Sequence, residues 1–188
     1  MHTLFLLLLI ATPAIGWPSR ASGHVQRADD SSSFQIYATG DNISGLPLFS
    51  CGDSAYLGDY TLLGDAEAAP VIFHATADSI WLGSPEASGF SGSDALPTWS
   101  DLKFYVPGEA SSSHVVGLID SSSGNTNIIS SGFVLYGTYV LVTGNSGKLE
   151  ALWYAVPSET SGVYSLKWND TGDDEKSVVV SLKTLPPT

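Results

Sequence analysis

Hydrophobic and polar side chains alternate with a period of two along most of the chain. Phe34, Ile36 and Ala38 fall on one side of an extended run, with Gln35, Tyr37 and Thr39 on the other; Val71, Phe73 and Ala75 oppose Ile72, His74 and Thr76 in the same way. Successive side chains of an extended backbone point to opposite faces, so this alternation predicts half-buried strands. Comparable runs occupy 102–106, 114–119, 132–136, 138–143, 148–156, 162–168 and 177–184, with shorter ones at 46–49, 55–57 and 79–82. Most are bounded by Gly, Pro, Asn, Asp or Ser, the residues of turns. Gly144-Asn145-Ser146-Gly147 predicts a hairpin between two of them, because its glycines accept positive φ without a Cβ clash. Only 65–69 looks helical, and Pro70 ends it after about one turn. About ten to twelve short strands without long helices predict an all-β chain. The preferred architecture is a single antiparallel β-sandwich, with a closed β-barrel as the alternative.

Composition sharpens this reading. The 188 residues are 43% hydrophobic and 14% charged, with 19 Gly and 10 Pro. Such a balance excludes a disordered acidic tail. Seven Lys and Arg against nineteen Asp and Glu give a formal net charge of −12. A surface of that sign repels phosphate backbones and anionic lipid, so nucleic acid is excluded as a partner.

Residues 1–16 (MHTLFLLLLIATPAIG) join a short apolar run to small residues at Ala14 and Gly16, the pattern of a signal peptide. The run is too short to cross a ~30 Å hydrocarbon core, which takes about 20 residues, so no membrane anchor is expected. Residues 17–33 are polar and aperiodic and read as a flexible leader or a pro-segment cut after Arg27, leaving 34–188 as a single all-β domain. The expected location is extracellular. Cys51 is the only cysteine, so no internal disulfide can form and stability must come from the core.

The stretches FQIYATG (34–40), ISGLPLF (43–49), AYLGD (55–59), SGFVLYG (131–137) and LWYAVP (152–157) resemble a family of small secreted proteins of filamentous fungi without established activity. The likeness spans most of the chain after the leader. Its motifs are turn glycines and packed aromatics, so it implies a fungal extracellular protein and carries over no catalytic site.

Asn42-Ile43-Ser44 and Asn169-Asp170-Thr171 are sequons in predicted turns, making Asn42 and Asn169 candidate glycosylation sites. Asp41, Asp53, Asp59 and Asp65 fall in successive loops and could offer oxygens to a hard cation, but the spacing matches no calcium loop and solvated turns explain them more simply. Asp170, Asp173, Asp174 and Glu175 read as a solvated hairpin tip. Asp101, Glu109, Asp120, Glu150 and Glu159 are the candidates for a hydrolytic carboxylate pair. His74 and His114 lack the third ligand of a zinc site. The segment 89–93 lacks the helix of a serine elbow, and Cys51 lacks a cation to activate it. No metal and no cofactor are expected.

Five Trp and eight Tyr are the most suggestive feature, since their faces stack on sugars and partner proteins. The candidate binding aromatics are Trp81, Trp99, Trp153, Tyr154 and Trp168, with Tyr164 beside them; Trp99, in a predicted loop, is least committed to packing. The leading expectation is a secreted, non-catalytic glycoprotein that binds an extracellular glycan or protein at a fungal wall or host surface, an effector role included. The alternatives are a small polysaccharide hydrolase using a carboxylate pair and a structural wall or spore-coat component.

Overall fold

The computed structural model describes residues 33–90, 96–144, 146–170 and 176–185. The expected signal peptide, nearly all of the leader, the serines of 91–93 and the acids Asp173, Asp174 and Glu175 lie outside the described residues. Ser33, placed in the leader from sequence, already pairs with a strand.

Among the described residues fifteen strands form: β1 (Ser33–Phe34), β2 (Tyr37–Gly40), β3 (Ile43–Ser50), β4 (Ala55–Gly58), β5 (Ala69–Ala75), β6 (Trp81–Pro85), β7 (Leu102–Pro107), β8 (Gly117–Ile119), β9 (Ile128–Ile129), β10 (Phe133–Tyr136), β11 (Tyr139–Thr143), β12 (Leu149–Glu150), β13 (Trp153–Pro157), β14 (Val163–Trp168) and β15 (Val178–Lys183). The all-β class holds, and the closed barrel replaces the sandwich as the central architecture. Strand β2 pairs with β3, β3 with β4, β4 with β14, β14 with β13, β13 with β15, and β15 with β2 again, all antiparallel. This ring of six strands leaves its members no free edge.

The register explains why the ring closes at this size. Ala155 sits across from Leu166, Leu48 from Leu57 and Leu182 from Ala38, and each of these is at most 1% exposed. Alternating small and large side chains fills a narrow barrel without voids. Two glycines relieve crowding where the strands bend. A Cβ on Gly40 would lie 2.6 Å from the Val179 carbonyl oxygen, and Gly58, at φ 127°, would drive one into the carbonyl of Gly162. A register shift between Ala38 and Thr39 adds a bulge at the β2–β3 pair.

A meander of β5, β6, β7 and β8 leaves the barrel through the β3–β5 pairing. It returns through single bridges, Ser54 to Gly117 and Val115 to Lys167. The β10–β11 hairpin extends the barrel sheet beyond β15. Between these layers runs a continuous aromatic column. Phe34 meets Trp81 edge-on at 4.9 Å, Trp81 lies at 5.3 Å from Phe133, Phe104 at 6.3 Å from Trp153, and Trp153 meets Trp168 edge-on at 4.5 Å. The Trp153 indole N–H donates to the Val140 carbonyl at 3.0 Å, tying β13 to β11 inside the core.

Several local expectations are corrected. The single strand expected over 34–39 divides at Gln35 and Ile36, because Phe34 pairs with β5 while Tyr37 onward joins the barrel. The run 148–156 likewise divides into β12, bonded to β11, and β13, bonded to β14 and β15. Only the second half of 114–119 forms β8, with Val115 making an isolated bridge before it, and β9 was not expected at all. No helix forms over 65–69: Asp65 closes a turn by accepting from the Glu67 N–H at 2.9 Å, and Ala69 already starts β5. The helical residues are instead two 3₁₀ turns, Tyr60–Leu63 and Ala87–Gly89. The expected hairpin joins β11 to β12, with the Gly144 N–H donating to Lys148 O and the Gly147 N–H to Gly144 O, both at 2.9 Å.

Two substitutions test this account. Trp153→Phe should keep the β spectrum but cost about 1–3 kcal/mol in urea unfolding, since the buried Val140 carbonyl loses its donor. Gly58→Ala should cost about 2 kcal/mol or more, because strain at φ 127° and a backbone collision coincide where the barrel closes; an unchanged midpoint would remove the closure argument.

Candidate functional site

The tryptophans read as binding candidates from sequence are structural. Trp153 is fully buried, Trp81 is 1% exposed, Trp168 5% and Trp99 8%. Their faces pack against other rings or backbone, so none can serve as a stacking platform; the physical reason is that a small closed barrel needs large side chains to seal the gap to its second sheet. Trp99 illustrates the point. Its indole N–H donates to the Glu67 carbonyl at 2.8 Å, its ring lies where a Cβ on Gly52 would come within 2.9 Å, and the neighbouring Thr98 N–H and hydroxyl donate to the Glu67 carboxylate. Three loops are thereby locked together. Tyr154, half-buried, lies across from Lys167 and Val179, and Tyr164, also half-buried, packs on the core across from Leu57.

The acidic loops resolve in the same way. Asp59 caps the first 3₁₀ turn through the Thr61 N–H and hydroxyl at 3.0 and 2.7 Å, Asp53 accepts from the Ser54 N–H, and Asp41 is exposed. Among the described residues no three His, Cys, Asp or Glu are placed to hold a metal ion. Asp170 is a correction: it is buried, 9% exposed, rather than solvated at a hairpin tip.

Of the five carboxylates considered for hydrolysis, three stand apart. Asp120 accepts from the Ser122 hydroxyl at 2.6 Å and its N–H at 2.7 Å, and these bonds hold its carboxyl below the usual range. Asp101 is engaged with Ser84, and Glu159 is exposed in the β13–β14 turn. The other two, Glu109 and Glu150, line one cleft of about 190 Å³ where the end of β7 meets β12 and the end of β14. His114 enters the same cleft. Its Nδ1 lies 3.0 Å from the Trp168 carbonyl oxygen. A carbonyl only accepts, so Nδ1 carries a hydrogen and donates it. The Trp168 N–H donates back to the His114 carbonyl at 2.9 Å, which fixes the imidazole to β14. Glu150 lies against Gly144, where any Cβ would strike its carboxylate. Ile129 and Leu152 give the cleft apolar walls, and Trp168 lies beneath it.

Asn169 stands on the rim, exposed and at φ 49°, and Asn42 is exposed at the β2–β3 turn at φ 56°. The cleft therefore gathers two sequence candidates for acid–base chemistry, a histidine read as bland and a candidate glycosylated asparagine. Ser111 and Ile129 were missed. Ile129 belongs to a two-residue strand too short to show periodicity, and Ser111 reads as one of a serine triplet.

Cys51 is half-buried, and His74 is exposed on β5. Burial, followed by the charge and hydrogen bond of Asp65 and the charges of Asp53 and Glu67, pushes the thiol up to about 11. The reactive thiolate is thus scarce at neutral pH.

A scan of family models, a search of curated proteins and a search of solved structures each find no match to this chain. Among the described residues no helix is long and apolar enough to cross a membrane.

The Cys51 environment yields a direct check. In the folded protein, alkylation by iodoacetamide at pH 8 should run about tenfold or more slower than in the denatured chain and should accelerate as pH approaches 11, with Asp65→Asn moving that rise to lower pH. The thiol keeps its proton to higher pH when folded, so its contribution to stability is complete below about pH 9 and lost as pH climbs through 11. Equal rates in both states would refute the assignment.

Proposed function

We propose that the protein is a secreted, non-catalytic glycoprotein that binds a glycan outside the cell, at a fungal wall or a host surface. The observation that carries this reading is the composition of the cleft. It sets the carboxylates Glu109 and Glu150 and the His114 imidazole beside the apolar Ile129 and Leu152. Sugars present hydroxyl donors at their edges and C–H groups on their ring faces, and a site that combines oriented acceptors with apolar walls suits both. Support for the extracellular setting comes from the signal-like start, the sequon at the exposed Asn42 and the fungal resemblance. Asn169 on the rim makes this site sensitive to modification, since a glycan there would compete for the cleft.

A second reading is favoured by one feature, that Glu109 and Glu150 line the same cleft. Two carboxylates flanking a glycosidic bond could act as acid and as base or nucleophile. The exposure of Glu109 argues for binding instead, because an acid catalyst gains its proton affinity from an apolar surround.

On an array of wall-derived oligosaccharides the secreted chain should be retained on a subset of glycans, and Glu150→Gln or Gly144→Ala should weaken retention about tenfold without lowering the unfolding midpoint. Release of reducing sugar that Glu150→Gln abolishes would instead establish the hydrolase. Retention on no glycan would reject both readings.

A further inference from the structure

A second surface, on the outer face of the barrel sheet, is built from residues no motif singled out. The pairing register aligns Tyr136 of β10 with Tyr139 of β11, Tyr139 with Lys183 of β15, and Lys183 with Tyr37 of β2. Four neighbouring strands thus place their outward side chains in one straight row. Strands lie ~4.8 Å apart, so the row runs about 14 Å across the sheet. Tyr136 is 48% exposed and Tyr139 44%, whereas every other described aromatic is buried or half-buried.

The row is ordered. The Lys183 ammonium sits 4.9 Å from the centroid of the Tyr139 ring, and the Tyr37 hydroxyl donates to Gln35 Oε1 at 2.7 Å. Side chains already held in one rotamer lose little entropy on binding. Beyond Tyr37 the row continues into an open groove of about 520 Å³ between Phe34, Ile72 and Leu185.

We infer that this row and groove form a binding face for an uncharged polysaccharide chain, lying across the strands with sugar faces against Tyr136 and its end in the groove beside Tyr37. The inference deepens the glycan-binding reading and takes its ligand class from it, but it does not depend on the cleft. Charge selects the occupant. The outward positions of these strands, Val134, Leu141, Ser181 and Thr39 among them, include no carboxylate, and Lys183 is their one cation; the groove adds Glu86, whose carboxylate accepts from the Ser88 N–H and hydroxyl. The chain as a whole carries −12 and repels polyanions. Shape selects it further: the row is flanked by Val134 and Leu141 beside the tyrosines and by Ser181 and Thr39 beside Lys183 and Tyr37, a narrow strip, whereas a stable protein interface needs a broad patch of about 800 Å² per partner. A linear polymer matches a stripe.

The test is co-sedimentation of the full secreted chain with particulate β-glucan, chitin and cellulose, with alginate beads as the polyanionic control. Retention on at least one neutral polymer and none on alginate is expected. Tyr136→Ala with Tyr139→Ala should reduce retention about tenfold or more, and Tyr136→Phe should preserve it because the ring face remains. Equal unfolding midpoints for the variants separate binding from folding. The proposal is overturned if the double variant sediments like the wild type, if no neutral polymer retains the protein, or if sedimentation velocity shows a dimer that the double variant abolishes, since a second copy would then be the occupant. Particle retention lost by the double variant, with no oligosaccharide retained on the array, would sustain the row and reject the cleft, so the two readings fail separately.

Discussion

The fold depends on one packing relation, the contact of Trp153 with Phe104 on one side and Trp168 on the other. A six-stranded ring has a core too narrow to stabilise a chain of this length, and the β5–β8 meander has a single apolar face that must be covered. Trp153 belongs to the barrel and Phe104 to the meander, so their contact fuses two small cores into one. The indole hydrogen bond to Val140 adds direction to what area burial alone would leave loosely defined. No disulfide performs this task, and none could, because Cys51 stands alone.

The polar architecture follows a complementary rule. Carboxylates are abundant, and several close their own turns by accepting from N–H or hydroxyl groups two residues ahead, as Asp59, Asp65, Glu86 and Asp120 do. Such local bonds satisfy loop backbone that a many-stranded fold would otherwise leave open. Part of the acidity is thus a by-product of turn construction. The carboxylates available for other work are those not so engaged, and Glu109 and Glu150 stand out because they face a common cleft.

Much of the fold was legible in the sequence. Period-two alternation located most strands, although it merged β1 with β2 and β12 with β13 and missed β9, and turn residues located the β11–β12 hairpin. Barrel closure was not legible, because it rests on β15 pairing with both β2 and β13, contacts between residues more than a hundred positions apart for β2 and set by register rather than by local pattern. The site shows the same divide. Glu109, Glu150 and Asn169 were named from sequence, but only the structure brings them together. The aromatic count pointed to tryptophan as the exposed ring, and here the reasoning failed physically: the largest apolar side chains were spent on sealing the core. Tyr136 and Tyr139 looked like ordinary alternating residues, and their alignment with Lys183 and Tyr37 emerges only when four strands are laid side by side.

The cyclic pairing of the barrel has a kinetic corollary. A strand in an open sheet can peel from its edge by breaking one ladder, but each member of a ring must break two at once. Amide protons of β13 and β14 should therefore report on whole-molecule opening, whereas those near β8, three residues long and at the end of its meander, belong to a smaller unit that breathes independently. Slow and fast exchange would divide the molecule along the line where the aromatic column crosses from one layer to the other.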